Sequence, residues 1–231
     1  MGSTPLQIVI RAVDYCPPID VSFGEFLRAI ITADRDFVPS DGYDYRGALI
    51  QAFRRRGITV TNVQDLSEDS ISWGGPSRAL PPIAALAFSA LRLDHDGATA
   101  MSRNEMQRWL QAIETYLCEN ESRFKEFGLC PVNGPYGLIV LESINVTLRA
   151  DNNGKHVKRL VIEISQTRAG KIRNFVGGAT LILGEGGDIR YVIRKRVDNL
   201  VQRQKRAKFE DANYGGGPLE FKAIHRARPV I

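Results

Sequence analysis

Apolar positions recur at helical spacing near the start of the chain. Residues 5–13 are predicted to form a short apolar helix, which Cys16-Pro17-Pro18 ends, because proline lacks a backbone donor and disfavours a helical residue before it. Ser22 and Glu25 have the spacing of a capping box, so we predict a helix over 23–37. Its buried face is predicted to hold Phe26, Leu27, Ile30, Ile31 and Ala33.

A second helix is predicted over 45–55, and Gly57 occupies the left-handed position that follows a helix end. Residues 59–77 are polar and rich in turn formers, which indicates a connecting loop. The apolar face of the 45–55 helix is predicted to hold Ala48, Leu49, Ala52 and Phe53.

Two more helices are predicted before residue 128. Pro81 and Pro82 can begin a helix over 83–93, which is apolar nearly all round and reads as central core. Ser102-Arg103-Asn104-Glu105 has the capping-box spacing and opens a long amphipathic helix over 103–126. One side of that helix carries Met106, Trp109, Leu110, Ile113, Leu117 and Phe124.

Strand patterns replace helical ones after Gly128. Turn-forming residues at 151–154 and 184–188 separate apolar runs and predict two hairpins, hence an antiparallel sheet. A basic helix is predicted over about 197–209, and residues from 215 onward read as a connector with a short apolar tail. The predicted strands are 138–148, 159–165, 179–183 and 189–193.

This order of elements predicts an α+β fold, an all-helical part followed by a small antiparallel β-sheet with a basic C-terminal helix. We divide the chain into residues 1–127 and 128–231 and expect two subdomains in contact. The charge follows the same division: residues 1–150 hold 14 Lys and Arg against 18 Asp and Glu, and residues 151–231 hold 17 against 8. Such asymmetry indicates two modules or a surface that meets an acidic partner.

Composition narrows the class of protein. With 43% hydrophobic and 25% charged residues, usage is that of a soluble globular chain, and no apolar window is long enough to span a membrane. The chain starts without a basic segment before its first apolar stretch, which disfavours a secretory signal. Three cysteines without a CxxC pair are typical of a reduced protein, so we predict a cytoplasmic location and no membrane partner.

Residues 8–58 contain three segments with a recognisable order: Arg11-Ala12-Val13, residues 23–34, and Gln51-Ala52-Phe53-Arg54-Arg55-Arg56-Gly57-Ile58. This order resembles the end of the C-terminal helical subdomain of gluzincin metallopeptidases, the thermolysin-like and fungalysin-like enzymes. In that family a helix with an Arg-Ala-Leu element precedes a proline-containing turn, and a helix of the type Gln-Ala-Phe-x-x-x-Gly closes the domain. The resemblance covers about a quarter of the chain and rests on helix-packing residues.

The catalytic motif of that family is missing. Zinc hydrolysis requires two histidines four residues apart on one helix, a third ligand and an activating carboxylate. The histidines here are His95, His156 and His225, and none stands in HExxH. No active-site residue of the family can be carried over, so we predict no metal, no cofactor and no zinc-peptidase activity.

Three local patterns invite a chemical interpretation but favour a structural one. Asp94-His95-Asp96-Gly97 lacks further oxygen ligands at alternate positions, so a polar turn is preferred to a calcium loop. Gly177-Gly178 and residues 184–187 lie between strands rather than before a helix, which favours hairpin glycines and a close backbone approach over a phosphate loop. Cys118 stands among apolar helix positions and is predicted to fill core space, and Cys130 has no histidine near it in sequence.

A basic tract is the strongest candidate for a functional surface, with eight cations within nineteen residues. Such a tract can follow a phosphate backbone with salt-sensitive, sequence-independent affinity. It can equally be a solvated helix face or a complement to the acidic N-terminal half. Its members are Arg190, Arg194, Lys195, Arg196, Arg203, Lys205, Arg206 and Lys208.

Two functions remain after these exclusions. The first is a non-catalytic scaffold or protein-interaction module, related to the C-terminal part of a peptidase-like protein, with a protein partner or self-association. The second is nucleic-acid binding through residues 190–208. We choose the first, because no nucleic-acid fold signature, such as stacking aromatic pairs on adjacent strands, accompanies the cations.

Overall fold

The computed structural model describes residues 5–76, 80–91, 103–150, 156–170, 174–205 and 208. Within these ranges helices come first and a four-stranded antiparallel sheet follows, which confirms the predicted α+β class. The α-helices are α1 (Pro5–Ala12), α2 (Phe23–Phe37), α3 (Tyr45–Arg55), α4 (Glu68–Ile71), α5 (Phe88–Leu91) and α6 (Arg103–Glu119). The strands are β1 (Tyr136–Ala150), β2 (His156–Arg168), β3 (Phe175–Leu183) and β4 (Ile189–Lys195).

The first three helices begin and end close to where the sequence predicts. At the start of α2 the amide of Ser22 donates to the Glu25 carboxylate at 2.8 Å, and the amide of Glu25 donates to the Ser22 hydroxyl at 3.3 Å. The capping box is therefore real, and it satisfies amides that the first helical turn leaves without partners. Gly57 has a φ of +71°, as its position after α3 predicts.

The buried face of α3 differs from the prediction. Ala48 is exposed, whereas Ile50 and Arg46 are the buried residues of this helix. The Arg46 guanidinium lies 3.1 Å from Asp34 and 3.1 Å from Glu68, and both contacts are polar ones that apolar periodicity cannot reveal. A buried arginine between carboxylates therefore fixes the orientation of α3 against α2.

The segment 59–77 is not a simple connecting loop. Its residues 68–71 form α4, and Ile71 is fully buried. Ile71 joins Leu27, Ile31 and Ile50 in a small cluster on the side of α2 that faces away from the sheet. The loop prediction was wrong because a four-residue helix is too short to show a period in sequence.

The predicted helix over 83–93 is also replaced by shorter pieces, a 3-10 segment Ala84–Leu86 and α5. The amide of Ile83 donates to the Gly187 carbonyl at 2.9 Å, and the amide of Phe88 donates to the Glu185 carbonyl at 2.8 Å. In one continuous helix the Phe88 amide would donate to the Ala84 carbonyl, so its bond to the β3–β4 hairpin interrupts the helix. Residues 92–93 lie outside the described residues.

The long helix predicted over 103–126 divides in two. The α-helical part ends at Glu119, Asn120 has a non-helical φ of −113°, and a 3-10 segment Glu121–Phe127 follows. This segment turns Phe124 and Phe127 into the core. Met106, predicted on the apolar side, is 37% exposed, and Ser102 of the second predicted capping box lies outside the described residues.

The sheet has the order β1-β2-β3-β4, and every neighbouring pair is antiparallel. Both predicted hairpins are thus consistent with the pairing, although the strands are longer than the apolar runs that identified them. Gly184 donates to the Asp188 carbonyl at 2.8 Å and closes the second hairpin, while the first turn, 151–154, lies outside the described residues. β1 and β4 are the two edge strands.

Helices cover both faces of this sheet. One face packs against α6 and the 3-10 segment Glu121–Phe127, with Leu160, Ile162, Leu181 and Leu183 fully buried between them. On the other face Ile182 and Ile193 pack against α1 and α2. The predicted boundary at 127/128 falls where helices give way to strands, and residues from both sides of it share these two apolar clusters.

Candidate functional site

The basic tract runs over three consecutive elements instead of one helix. Arg190, Arg194 and Lys195 lie on β4, and Arg196 lies in the turn that follows. Helical structure starts at residue 200, where Asn199 accepts a hydrogen bond from the Gln202 amide at 3.1 Å, and it holds Arg203, Lys205 and Lys208. Arg206 lies outside the described residues. Arg196 therefore precedes the helical segment that holds Arg203.

Each of the four cations nearest β4 lies within ion-pair distance of a carboxylate. Lys195 Nζ is 3.2 Å from Glu25, and Arg194 Nη1 is 3.3 Å from Glu126. Arg196 pairs with Asp198 at 2.7 Å, and Arg190 lies 3.6 Å from Asp36. Three of these four carboxylates belong to the acidic N-terminal half, so this part of the tract complements that half within one molecule.

Asp36 is the centre of a buried polar network on the α2 side of the sheet. Its carboxylate, 4% exposed, accepts hydrogen bonds from Tyr15 at 2.6 Å, Tyr191 at 3.1 Å and Arg159 at 3.4 Å. Burial, with the nearby Asp36 charge, raises the pKa of Tyr191 to about 12 and raises that of Tyr15 further. Both hydroxyls therefore stay protonated donors, a structural role and not an acid–base one.

The glycine pairs act as the sequence predicts. A Cβ at Gly177 would run into the backbone of Val197, and one at Gly178 would run into the carbonyl of Ile164. Gly187 has a φ of +79° in the β3–β4 turn. These glycines allow close backbone approach and turning, as expected for hairpins.

The three cysteines are free thiols. Cys118 is exposed, so its predicted role as core filler was wrong: α6 turns this residue to the rim of its buried face. Burial raises the pKa of the Cys16 thiol to about 11, which makes it a poor nucleophile at neutral pH. The Cys130 amide donates to the Gln166 side chain at 2.9 Å, a structural contact.

Residues 94–97, the Asp-His-Asp-Gly cluster, lie outside the described residues, as do His95 and His225, whereas His156 is exposed at the start of β2. Among the residues that the structure describes, the carboxylates of Asp41, Asp44 and Glu68 approach within 4.8 Å of one another. Two of them already contact the Arg46 guanidinium, at 3.6 Å and 3.1 Å. These acidic residues therefore form an ion-pair site for the Arg46 guanidinium.

Within the described ranges no helix is long and apolar enough to cross a membrane.

A cleft of about 400 Å³ opens between α2, the loop after α4 and β4. We call it the basic cleft. Arg28 on α2 forms one wall and stacks on the Trp73 ring, with its guanidinium carbon 3.7 Å from the ring centre. The opposite wall carries Arg194, Lys195 and Arg196. Sequence reasoning found that wall but missed Arg28 and Trp73, which stand far from the tract in sequence.

A second cleft, of about 340 Å³, lies between α6 and β1, and we call it the α6–β1 groove. Most of its lining is apolar, and Cys118 stands at its rim. The sequence gives no signal for this groove, because its shape depends on how α6 packs over the sheet and not on the pattern within either element. Its apolar lining residues are Leu110, Ile113, Leu117, Phe124, Val132, Ile139, Leu141 and Ile164.

The outer edge of β1 lies beside this groove. β1 is 15 residues long, pairs with β2 on one side and has no strand partner on the other within the described part of the chain. Leu138 is 75% exposed and Val140 48% exposed. A long apolar edge with few charges is a template for pairing with another strand.

Comparison of the chain with protein-family models, with curated proteins and with solved structures finds no match. The resemblance of residues 8–58 to gluzincin peptidases therefore stays a prediction.

Proposed function

We propose that this protein is a non-catalytic interaction module that binds an extended segment of a partner protein along the edge of β1. The observation that carries the proposal is the position of this edge, which has no strand partner in the described ranges, beside the apolar α6–β1 groove. The backbone of an added strand pairs with β1, and its alternate side chains enter the groove. Strand addition supplies affinity through main-chain hydrogen bonds, and the groove supplies selectivity.

The composition of β1 favours this use. Natural edge strands are commonly protected by lysine, proline or short length, whereas β1 has no lysine or proline in its 15 residues. It has register irregularities near Ile139 and Ser143, and its one acidic residue, Glu142, accepts a hydrogen bond from Ser165 at 2.6 Å. Such irregularities also protect natural edges, so the stretch best suited to pairing with a further strand is 143–150, which pairs with β2 without interruption.

The surroundings of the groove define its ligand. Glu114 and Glu121 are the charged residues of its lining, and both are acidic. An apolar segment flanked by lysine or arginine would fit both the lining and these charges. Free thiols at all three cysteines support a reducing location such as the cytoplasm for this interaction.

Nucleic-acid binding through the basic tract has less support. Arg190, Arg194, Lys195 and Arg196 each have a carboxylate within ion-pair distance, so these cations are already largely neutralised. Phosphate binding would have to displace those carboxylates or rely on Arg203, Lys205, Arg206 and Lys208. We therefore place the interaction at β1.

Selection from a random peptide library displayed on phage, with the whole chain as bait, tests the proposal. We expect peptides with apolar residues at alternate positions. Binding of such a peptide should slow hydrogen exchange at the β1 amides and protect Cys118 from N-ethylmaleimide. Prior modification of Cys118 should abolish peptide binding, because the added group fills the rim of the groove.

The matched control is Cys118→Ser, which should bind the peptide normally and keep that binding after the same maleimide treatment. Peptides that bind the modified wild-type chain equally well would refute the groove as the site. Sedimentation of the chain alone shows whether it forms a dimer. A dimer in which Cys118 is protected would show that a second copy, instead of a partner protein, occupies the edge.

A further inference from the structure

The basic cleft has a charge imbalance that the interaction at β1 does not explain. Four cations line it, Arg28, Arg194, Lys195 and Arg196, against two carboxylates, Glu25 and Glu126. Those two carboxylates are already engaged, by Lys195 and Arg194 respectively. Arg196 pairs with Asp198 beside the cleft. Arg28 is therefore the cation of this lining that has no described carboxylate within ion-pair distance.

Arg28 lies within ion-pair distance of no described carboxylate, although the charge of Glu25 acts on it from further away. Its Nε donates to the Ile71 carbonyl at 2.7 Å, and its Nη2 is 3.4 Å from the Ser72 carbonyl. The Trp73 ring covers one face of the guanidinium. Burial lowers the pKa of this arginine to about 10, and the charge of Glu25 offsets only part of that effect.

We infer that the basic cleft binds the oxyanion group, a phosphate or a carboxylate, of a small polar molecule. The guanidinium of Arg28 is fixed by carbonyls and by the Trp73 ring before any ligand arrives, so little side-chain entropy is lost on binding. Arg194 faces it from β4, 40% exposed and held by three contacts of 3.3 Å each. Because Nη1 of Arg194 already contacts the Glu126 carboxylate, Arg28 supplies the main charge for a bound anion and Arg194 contributes less.

The size and lining of the cleft favour a ligand larger than a bare ion. A volume of about 400 Å³ is in the range of small-molecule sites and exceeds what one phosphate fills. The remaining lining includes the amide side chains of Asn62, Asn199 and Gln202, which can both donate and accept hydrogen bonds. This favours a hydroxyl-rich ligand such as a sugar phosphate or a hydroxy acid.

The site is independent of the proposed strand addition. Its walls are α2, the loop after α4 and β4, whereas the α6–β1 groove is formed by α6, β1 and neighbouring residues on the opposite edge of the sheet. Peptide binding at β1 can therefore be refuted while anion binding in the basic cleft is supported, and the reverse can also occur.

Calorimetric titration of the whole chain with ribose 5-phosphate, citrate and ribose tests the inference. We expect at least one of the two anions to bind with a Kd below about 1 mM and ribose not to bind. The indole signal of Trp73 in a nitrogen–proton correlation spectrum should shift, and that of Trp109, buried in the core, should not. The anion that binds more tightly shows whether the cleft prefers a phosphate or a carboxylate.

Arg28→Gln should weaken binding about tenfold or more, and Arg194→Gln on the opposite wall should weaken it by a smaller factor. The control Arg55→Gln removes the same charge from an exposed position on α3 and should change the affinity less than about twofold. Thermal melts show whether Arg28→Gln remains folded, and Arg194→Gln keeps the test valid if it does not.

Absence of binding by both anions at about 10 mM would overturn the inference. An equal loss of affinity in Arg28→Gln and Arg55→Gln would also overturn it, because the anion would then be attracted by the overall positive charge and not by the cleft. Binding of a single-stranded oligonucleotide that outcompetes both small anions would also overturn it, in favour of a nucleic-acid surface.

Discussion

The Nζ atom of Lys195, the last residue of β4, lies 3.2 Å from Oε2 of Glu25, the residue that also closes the capping box of α2. The two side chains are 8% and 15% exposed. The Glu25 carboxylate thus caps the N-terminus of α2 and also joins this helix to the edge of the sheet. Lys195 also donates to the carbonyls of Ile19 and Asp20, so the turn before α2 is tied to the same point.

Replacing Lys195 by methionine should destabilise the fold, because it leaves the Glu25 carboxylate poorly solvated and without its cation. Loss of one partner of a buried pair costs about 3 kcal/mol. Urea unfolding of the variant measures this loss. Lys205→Met removes an exposed lysine and should change the free energy of unfolding by less than about 0.5 kcal/mol. Equal effects of the two substitutions would contradict a specific role for the pair.

Gly177→Ala should also destabilise the protein, because the new methyl group would clash with the backbone of Val197. Overpacking of this kind costs about 1–3 kcal/mol. Gly42→Ala is the matched control, because a Cβ at Gly42 meets no atom within 4 Å. Chemical denaturation of both variants compares them directly. A Gly177→Ala protein as stable as the control would show that the approach of the two backbones is not tight.

The stability of the fold should fall at high pH. Burial raises the pKa of Tyr191 from 10.0 to about 12, and the pKa of Tyr15 rises in the same direction. The unfolded chain therefore releases these protons from about pH 10, while the folded chain retains them. The stability they contribute is fully present below pH 10 and is lost as the pH rises towards 12.

Denaturation midpoints between pH 9 and pH 12 measure this loss, with tyrosinate absorbance as an independent record of ionisation. Tyr191→Phe should make the decline shallower, because one of the two groups no longer titrates. Tyr43→Phe alters a tyrosine that is 85% exposed and should leave the slope unchanged. A slope insensitive to Tyr191→Phe would show that the Asp36 network does not couple ionisation to folding.

The three thiols should differ in reactivity. Cys118 is exposed, whereas Cys16 is partly buried with a pKa raised to about 11. At neutral pH a limiting amount of maleimide should therefore modify Cys118 first. Peptide mapping by mass spectrometry identifies the labelled residue, and Cys118→Ser should lose the fast phase. Fast labelling of Cys16 in the native protein would contradict its burial.

Local sequence signals were reliable where the cause of the structure is local. The Ser22–Glu25 capping box, the ends of α2 and α3, and the β3–β4 hairpin depend on hydrogen bonds among residues a few positions apart. Predictions failed where distant backbone intervened, as in the segment 83–93, whose amides bond to the carbonyls of Glu185 and Gly187. No periodicity within that segment carries information about a hairpin a hundred residues later.

The candidate sites divide in the same way. The cations of the tract, from Arg190 to Lys208, were visible in the sequence, but their carboxylate partners were not. Arg28 was hidden because an arginine on an amphipathic helix reads as a solvated residue, and only the fold brings Trp73 over its guanidinium. The prediction that Cys118 is buried was wrong because the exposure of this position depends on which elements α6 packs against.

The sequence by itself determined the α+β class, the order of helices and strands, and the absence of an HExxH motif, because these depend on residue type and on short-range periodicity. Only the tertiary structure decided that helices cover both faces of one sheet, that Glu25 and Asp36 receive cations from β4, and that the outer edge of β1, beside a groove, has no strand partner among the described residues. The ion pairs join residues more than a hundred positions apart, and the groove depends on how α6 packs over the sheet; a local pattern encodes neither.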